Sequence, residues 1–370
     1  MTVLAAVSAI VLCFVWIGYP LLMRMLAGMS PRRTVPAPDA WPTVTAIVAS
    51  REPAPAILAR AEDLVAGDYP GELNVVVALD PGSATGESEL AGLRPWLTVV
   101  RGDQPGGKAA TLNAAVRVAT GEILVFSDTH QRFAPDAIRA LVAGLSDGTF
   151  AATSGRLELP EGKEASLIDR YWRMERRLRR DEAVLHSAIG VSGSIYAMRR
   201  AEWAPLPAGL ILDDLYIPMR LVLAGRRIGF TDAARATDTR RTEPAEEYRR
   251  KVRTLTGNFQ LCAWLPGVLN PARNPVWAQF LLHKLLRLAT PYLMLMLVLG
   301  LVWGTVQRFG WRGVAAVLAV AFLGLVAALV FGRLGSLFGV VRWFGAMQAS
   351  ILKATINGLR GNWDVWGKGS

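Results

Sequence analysis

With 370 residues the chain has room for one large domain or two, and its 52% apolar content gathers at the two ends around a middle that reads as soluble α/β protein. The net charge of +11 comes without any nucleic-acid motif, so it points to anionic lipid and an anionic substrate and away from nucleic acid as a partner. The two cysteines, Cys13 and Cys262, have no metal-ligand spacing, and a disulfide between them is implausible in a reducing cytoplasm.

Leu4 to Leu22 is an almost uninterrupted apolar run, close to the roughly 20 residues that span a bilayer. Only Met1, Thr2 and Val3 precede it, so it lacks a basic n-region, and with no clear cleavage site it reads as an uncleaved anchor. Arg24, Arg32 and Arg33 follow, and the positive-inside rule then puts the next domain in the cytoplasm, at the plasma (inner) membrane. Ser30 to Trp41 is a proline-bearing linker.

The middle alternates strands with helices. Thr43 to Ala49, Glu72 to Leu79, Leu97 to Val100 and Glu122 to Phe126 read as strands, and Ala56 to Val65, Lys108 to Val118 and Pro135 to Leu145 as helices. This alternation implies a mostly parallel sheet covered on both faces, with its ligand beyond the carboxyl ends of the strands. Glu52, Asp80 and Asp128 each follow a strand end. A turn role explains any one of them, but three together mark a crevice.

Gly106-Gly-Lys108 opens the helix that carries Leu112-Asn113. It lacks the spacing and the Ser/Thr of a nucleotide-hydrolase phosphate loop, yet Lys108 and the helix N-terminus can each meet a diphosphate. Asp169 to Arg180 is a basic helix with two aromatics, either a solvated face or a surface near the membrane or the acceptor. Ser192 to Met198 reads as a strand entered through Gly193, and Arg227 to Phe230 as another. Between them lie Asp213 and Asp214, after a short apolar run and at the start of a helical pattern. An adjacent carboxylate pair there is either a helix cap or a reactive site. Glu246 begins a long helix through Trp264 with Arg250 and Arg253 on one face, which suits the membrane interface. Leu285 to Val306 and Gly313 to Phe331 can each span, and Leu337 to Ile356 suits a spanning or an interfacial helix. The resulting organisation is an anchor (1–24), a cytoplasmic domain (40–243), interfacial helices (244–276) and carboxyl-terminal membrane helices (277–360).

In order and spacing, these elements resemble a membrane-anchored bacterial family 2 glycosyltransferase. Asp80 matches the Asp that contacts uracil in that family. Gly107-Lys108-Ala-Ala-Thr-Leu112-Asn113 matches its Gly-Lys element, and Asp213-Asp214 its catalytic acidic pair. Its Asn-Glu position is Arg51-Glu52 here. Its Asp-x-Asp metal motif is Asp128-Thr-His130, and its Gln-x-x-Arg-Trp motif is matched by Arg250-Lys-Val-Arg253-Thr254, which keeps only the Arg. The resemblance implies a Rossmann-like A-type glycosyltransferase domain flanked by transmembrane helices. It also implies an inverting transfer from a UDP-sugar.

In that reading Asp214 is the general base beside Asp213, and Glu52 and Asp80 hold the nucleoside. Asp128 with His130 would bind Mn2+ or Mg2+, and Arg250, Arg253 and Lys108 would neutralise the diphosphate. Gly193 would let backbone approach the sugar. His130 either ligates the metal or only hydrogen-bonds a phosphate or backbone group. The acceptor is a lipid-linked or growing glycan. Three or four membrane helices are few for a polymer pore, unless a homo-oligomer or partner subunit completes one. A processive synthase subunit and a non-catalytic sugar-nucleotide-binding protein are the alternatives. A dinucleotide oxidoreductase is excluded, because Ser50-Arg-Glu-Pro-Ala-Pro55 has no glycine.

Overall fold

The computed structural model describes residues 1–31, 38–158, 167–239, 244–330 and 334–365. Arg32, Arg33 and Phe331, used in the topology reading above, lie outside the described residues. The chain divides into two compact units. One comprises Met23–Thr242 with Gln260–Gln279, and the other Met1–Leu22, Glu243–Phe259 and Phe280–Ser370.

The first unit is built on an eight-stranded sheet. Its strands are β1 (Val44–Ser50), β2 (Leu73–Leu79), β3 (Leu97–Arg101), β4 (Ile123–Ser127), β5 (Gln131–Phe133), β6 (Ala152–Glu158), β7 (Tyr196–Arg199) and β8 (Ile228–Asp238), in the order β3-β2-β1-β4-β7-β6-β8-β5. β3, β2, β1 and β4 run parallel, β7 is antiparallel to β4 and β6, and β6 is parallel to β8. β1, β2 and β4 are continuous apolar runs because helices cover both faces of the parallel part. Val44, Ala46, Val48, Val75, Val77, Ile123 and Val125 form one core with Ile57, Ala61 and Leu64 of α3 (Ala54–Val65) and Ile138 and Leu141 of α5 (Ala137–Ala143). Each fully buried large aliphatic side chain there contributes about 1.5–3 kcal/mol.

The sequence signal for β5 and β6 is weak. β5 has three residues, and β6 reads Ala-Thr-Ser-Gly-Arg-Leu-Glu, with little intrinsic strand preference. Pairing with β7 and β8 makes it a strand, a tertiary choice that overrides propensity. β8 continues eight residues beyond the expected Arg227–Phe230 because its far end pairs with β5 and the outer half of β6.

The second unit begins with α1 (Thr2–Cys13), which continues through a π-turn at Phe14–Gly18 into α2 (Tyr19–Met29), whose residues from Met23 on are assigned to the first unit. A helix at Thr290–Val330 breaks at Gly310, where φ is +63°, and another covers Leu334–Leu359. The Gly310 break separates the two apolar stretches expected on either side of it. Among the described residues two helices, Thr2–Met29 and Thr290–Val320, are long and apolar enough to cross a membrane. They pack through small residues: a Cβ on Gly300 would lie 2.4 Å from that of Ala5. Trp16 donates to Thr290 Oγ1 at 3.1 Å, and the Arg287 guanidinium sits 4.7 Å over the Trp16 ring.

Candidate active site

β1, β2 and β4 end side by side, with Ser50 paired to Leu79 and Val48 to Ser127, so their following residues collect at one edge. Asp80 is buried there and accepts four contacts: Gly82 N–H at 2.8 Å, Gly107 N–H at 2.8 Å, Arg51 Nε at 2.9 Å and the Thr111 hydroxyl at 3.4 Å. Burial alone would raise its pKa. The Gly82 N–H, Arg51 and the Gly107 N–H outweigh burial and hold the carboxyl below its ordinary value. In this arrangement Asp80 pins the turn that starts α4 (Lys108–Val118). Gly106 and Gly107 both have φ of +90°, which a side chain would strain.

Lys108 is the first residue of α4. Its Nζ lies 3.3 Å from Asp128 Oδ1 and 3.4 Å from Asp213 Oδ2. Burial favours the neutral amine, but Asp128, Asp213 and Asp214 together outweigh it and hold the ammonium protonated. The Tyr196 hydroxyl belongs to the same neighbourhood. Burial raises its pKa well above the ordinary value, and Asp213, Asp214 and Asp128 add to the shift. It is fully buried, with no hydrogen-bond partner among the described residues. Phe126 stacks on its ring at 4.5 Å.

Asp213 and Asp214 form the first turn of α7 (Asp213–Leu223), where the helix dipole favours negative charge. The loop before them is held from two sides. Asn113 bonds both the N–H (2.8 Å) and the carbonyl (2.9 Å) of Leu206. Gln260, at the far end of α8 (Pro244–Trp264), accepts from Ile211 N–H at 2.8 Å and donates to the Gly209 carbonyl at 2.9 Å. The Trp264 ring lies 3.8 Å from where a Gly209 side chain would begin. Gln260 and Trp264 stand four apart, the spacing of the outer residues of Gln-x-x-Arg-Trp, with Ala263 at the Arg position. The stretch Arg250 to Thr254, which matches that motif only at its Arg, precedes them by ten residues. Arg250 and Arg253 belong to the other compact unit.

Gly193 abuts Asp214: a Cβ there would meet Asp214 Cβ at 3.1 Å and Oδ2 at 3.6 Å. The close approach that this glycine permits is to the carboxylate. His130 Nε2 lies 2.8 Å from Glu52 Oε1, which brings those two expected site residues together. Thr129 bonds Ser50 Oγ at 2.8 Å beneath them. Arg60, unnoticed in the sequence because it sits within an ordinary helix, is fully buried. It holds Ser127 Oγ through Nε at 3.1 Å and Nη2 at 2.7 Å, pairs with Asp63, and packs 4.3 Å over the Phe133 ring. Burial lowers its pKa to about 10, against the pull of Asp63. Ser127 in turn donates to the Asp128 carbonyl at 2.9 Å, so Arg60 braces the segment that carries Asp128.

No group of three or more His, Cys, Asp or Glu poised for a metal occurs among the described residues. The chemistry of the donor set nevertheless fits a hard divalent cation. Carboxylate oxygens of Asp128 and Asp213 already converge on one positive charge, the Lys108 ammonium, beside the unpartnered Tyr196 hydroxyl. Mg2+ and its like need only one or two protein carboxylates when substrate phosphates complete the shell.

A twisted, mostly parallel sheet with its carboxylates gathered at the strand ends, entered through a glycine-lysine turn, is the A-type glycosyltransferase architecture. The glycosyl transferase family 2 model matches residues 46–204. An N-acetylglucosaminyltransferase of Mesorhizobium japonicum is 31% identical over 148 residues, 37% of this chain and 34% of that protein. The match thus spans about a third of the relative's length. A mannosyltransferase of Pyrobaculum calidifontis, solved with GDP-mannose and Mn2+, superimposes with a TM-score of 0.70 at 23% identity over 99% of both chains, and so shares the fold.

Proposed function

We propose that this protein is a membrane-bound inverting glycosyltransferase that moves a sugar from a nucleotide-diphosphate donor, a UDP-sugar, to a lipid-linked or growing glycan acceptor. The observation that carries this reading is the convergence of Asp128 and Asp213 on Lys108, with Asp214 on the next position of α7. Asp214 takes the proton of the acceptor hydroxyl as it attacks the anomeric carbon. Lys108 turns its charge toward the diphosphate as the glycosidic bond to phosphate breaks. Asp80 and Glu52 border the nucleoside. Asp80 does so while holding the Gly107 turn, which links base recognition to the placement of Lys108. A bound Mn2+ or Mg2+, held by Asp128 with Asp213, would supply positive charge to the leaving diphosphate. The apolar helices Thr2–Met29 and Thr290–Val320 support membrane anchoring and an acceptor drawn from the lipid phase.

The test is UDP release by the purified protein against UDP-GlcNAc, UDP-glucose and UDP-glucuronate, with membrane lipids present and Mn2+ or Mg2+ added. GDP-mannose serves as the contrast donor, because the fold neighbour was solved with it. Metal-dependent release from one UDP-sugar is expected. Binding of UDP without any release would assign a non-catalytic role, and release from GDP-mannose alone would overturn the choice of base.

A further inference from the structure

Pro218 lies inside α7, in its second turn. A proline there has no N–H for the carbonyl four residues back, and its ring crowds that oxygen. The carbonyl four residues back is that of Asp214. It is taken up from outside the helix, where Val191 N–H donates to it at 3.0 Å. The same loop then presses Gly193 against the Asp214 side chain, 3.1 Å from Cβ to the position of a built Cβ. Gly190 lies in van der Waals contact on the main-chain side, where a Cβ would stand 3.4 Å from the Asp214 carbonyl oxygen. The loop is itself tied to the sheet. Ser192 N–H donates to Ser154 Oγ of β6 at 2.9 Å, Ile195 N–H closes a turn onto Ser192, and β7 begins at Tyr196.

A proline in a helix interior is an unfavourable choice, and alanine would suit α7 better. The arrangement gives the choice a use. With a donor at position 218, the Asp214 carbonyl would turn inward to complete the helix ladder and the Val191 bond would face a competitor. We infer that Pro218 is a positioning residue for Asp214: by withholding an N–H it reserves the Asp214 carbonyl for Val191, and that bond seats the carboxylate against the Val191–Gly193 loop. This inference rests on the proposed role of Asp214 as base.

Pro218→Ala restores the missing donor without removing any side chain from the site. The expected result is an unusual pair: unchanged or raised thermal stability, and turnover lowered about 5- to 30-fold. The apparent KM for the best UDP-sugar of the panel should stay within twofold. Hydrogen exchange of the Val191 amide should accelerate at least tenfold in the same variant, a readout that needs no substrate. Gly193→Ala supplies a second, independent perturbation. Its added methyl pushes on Asp214 only while the loop is seated, so it should cost less turnover in the Pro218→Ala background than in wild type.

A tolerated irregularity in α7 would behave differently. Pro218→Ala would then gain stability while turnover and Val191 exchange stayed at wild-type values, and the inference would be overturned. Asp214→Asn, measured alongside, separates the two levels. If it retains turnover, the base assignment fails. If it is inactive while Pro218→Ala matches wild type, only the positioning role fails.

Discussion

Removing the Lys108 charge distinguishes a phosphate-binding role from a purely structural one. Lys108→Met keeps the length of the stem and deletes the ammonium. In the free protein that group lies 3.3 Å from Asp128 Oδ1 and 3.4 Å from Asp213 Oδ2. At an effective dielectric constant of about 20, each pair has a gross attraction of about 5 kcal/mol. The Lys108 side chain is 29% exposed and that of Asp128 34%, so solvent cancels most of this figure. A net of about 1.5–3 kcal/mol per charge-assisted hydrogen bond is the appropriate scale. When a diphosphate enters beside three carboxylates, the cation lodged between two of them is the group placed to receive it. Loss of one such contact weakens UDP binding by about 10- to 150-fold.

Titration calorimetry of the purified protein with UDP, at fixed Mn2+, measures this directly, with thermal unfolding recorded in parallel. The Lys108 pKa is raised above its ordinary 10.5 by the carboxylates. A raised lysine pKa gives stabilisation that is fully present below the unfolded value and lost only as pH rises through the folded one. The defect in UDP binding should therefore be constant between about pH 6 and pH 9, well below the lysine range. UDP affinity within twofold of wild type, together with a fall in unfolding temperature, would refute the reasoning and leave Lys108 as a prop for the two aspartates.

Asp214→Asn keeps the shape of the side chain and removes the proton acceptor, so turnover should fall by about 10² to 10⁴ with UDP affinity nearly unchanged. More than half of wild-type turnover would rule the assignment out. His130 is engaged by Glu52 at 2.8 Å, so His130→Asp should leave the ratio of Mn2+- to Mg2+-supported UDP release as in wild type. A shift toward Mg2+ would mean that the imidazole leaves Glu52 to ligate the metal. A cytoplasmic sheet domain, as the positive-inside rule proposes, would leave Ser88→Cys, exposed on that domain, resistant to an impermeant thiol reagent in intact cells lacking Cys13 and Cys262. Efficient labelling there would invert the topology.

The architecture of this protein was largely determined by local pattern. The apolar runs of β1, β2 and β4 and the glycine-lysine start of α4 are set by strand burial and turn chemistry, which act over a few residues. Glu52, Asp80 and Asp128 were legible for the same reason, since parallel strands oblige whatever follows them to share an edge. The relations between side chains were decided only by the tertiary structure. That Asp80 is saturated by Gly82, Gly107 and Arg51, that His130 faces Glu52, and that Lys108 bridges the carboxylate just after β4 and one in α7 all depend on how distant segments meet. Arg60 carried no sequence signal, because an arginine in a helix is ordinarily solvent-facing and only burial reveals it as a brace, whereas Gln260 shares with Trp264 the spacing of the outer residues of Gln-x-x-Arg-Trp. Pro218 stood in plain view as a proline in a helical pattern. Its meaning needed the one fact sequence does not hold, that the amide of Val191 lies beside the carbonyl Pro218 leaves open.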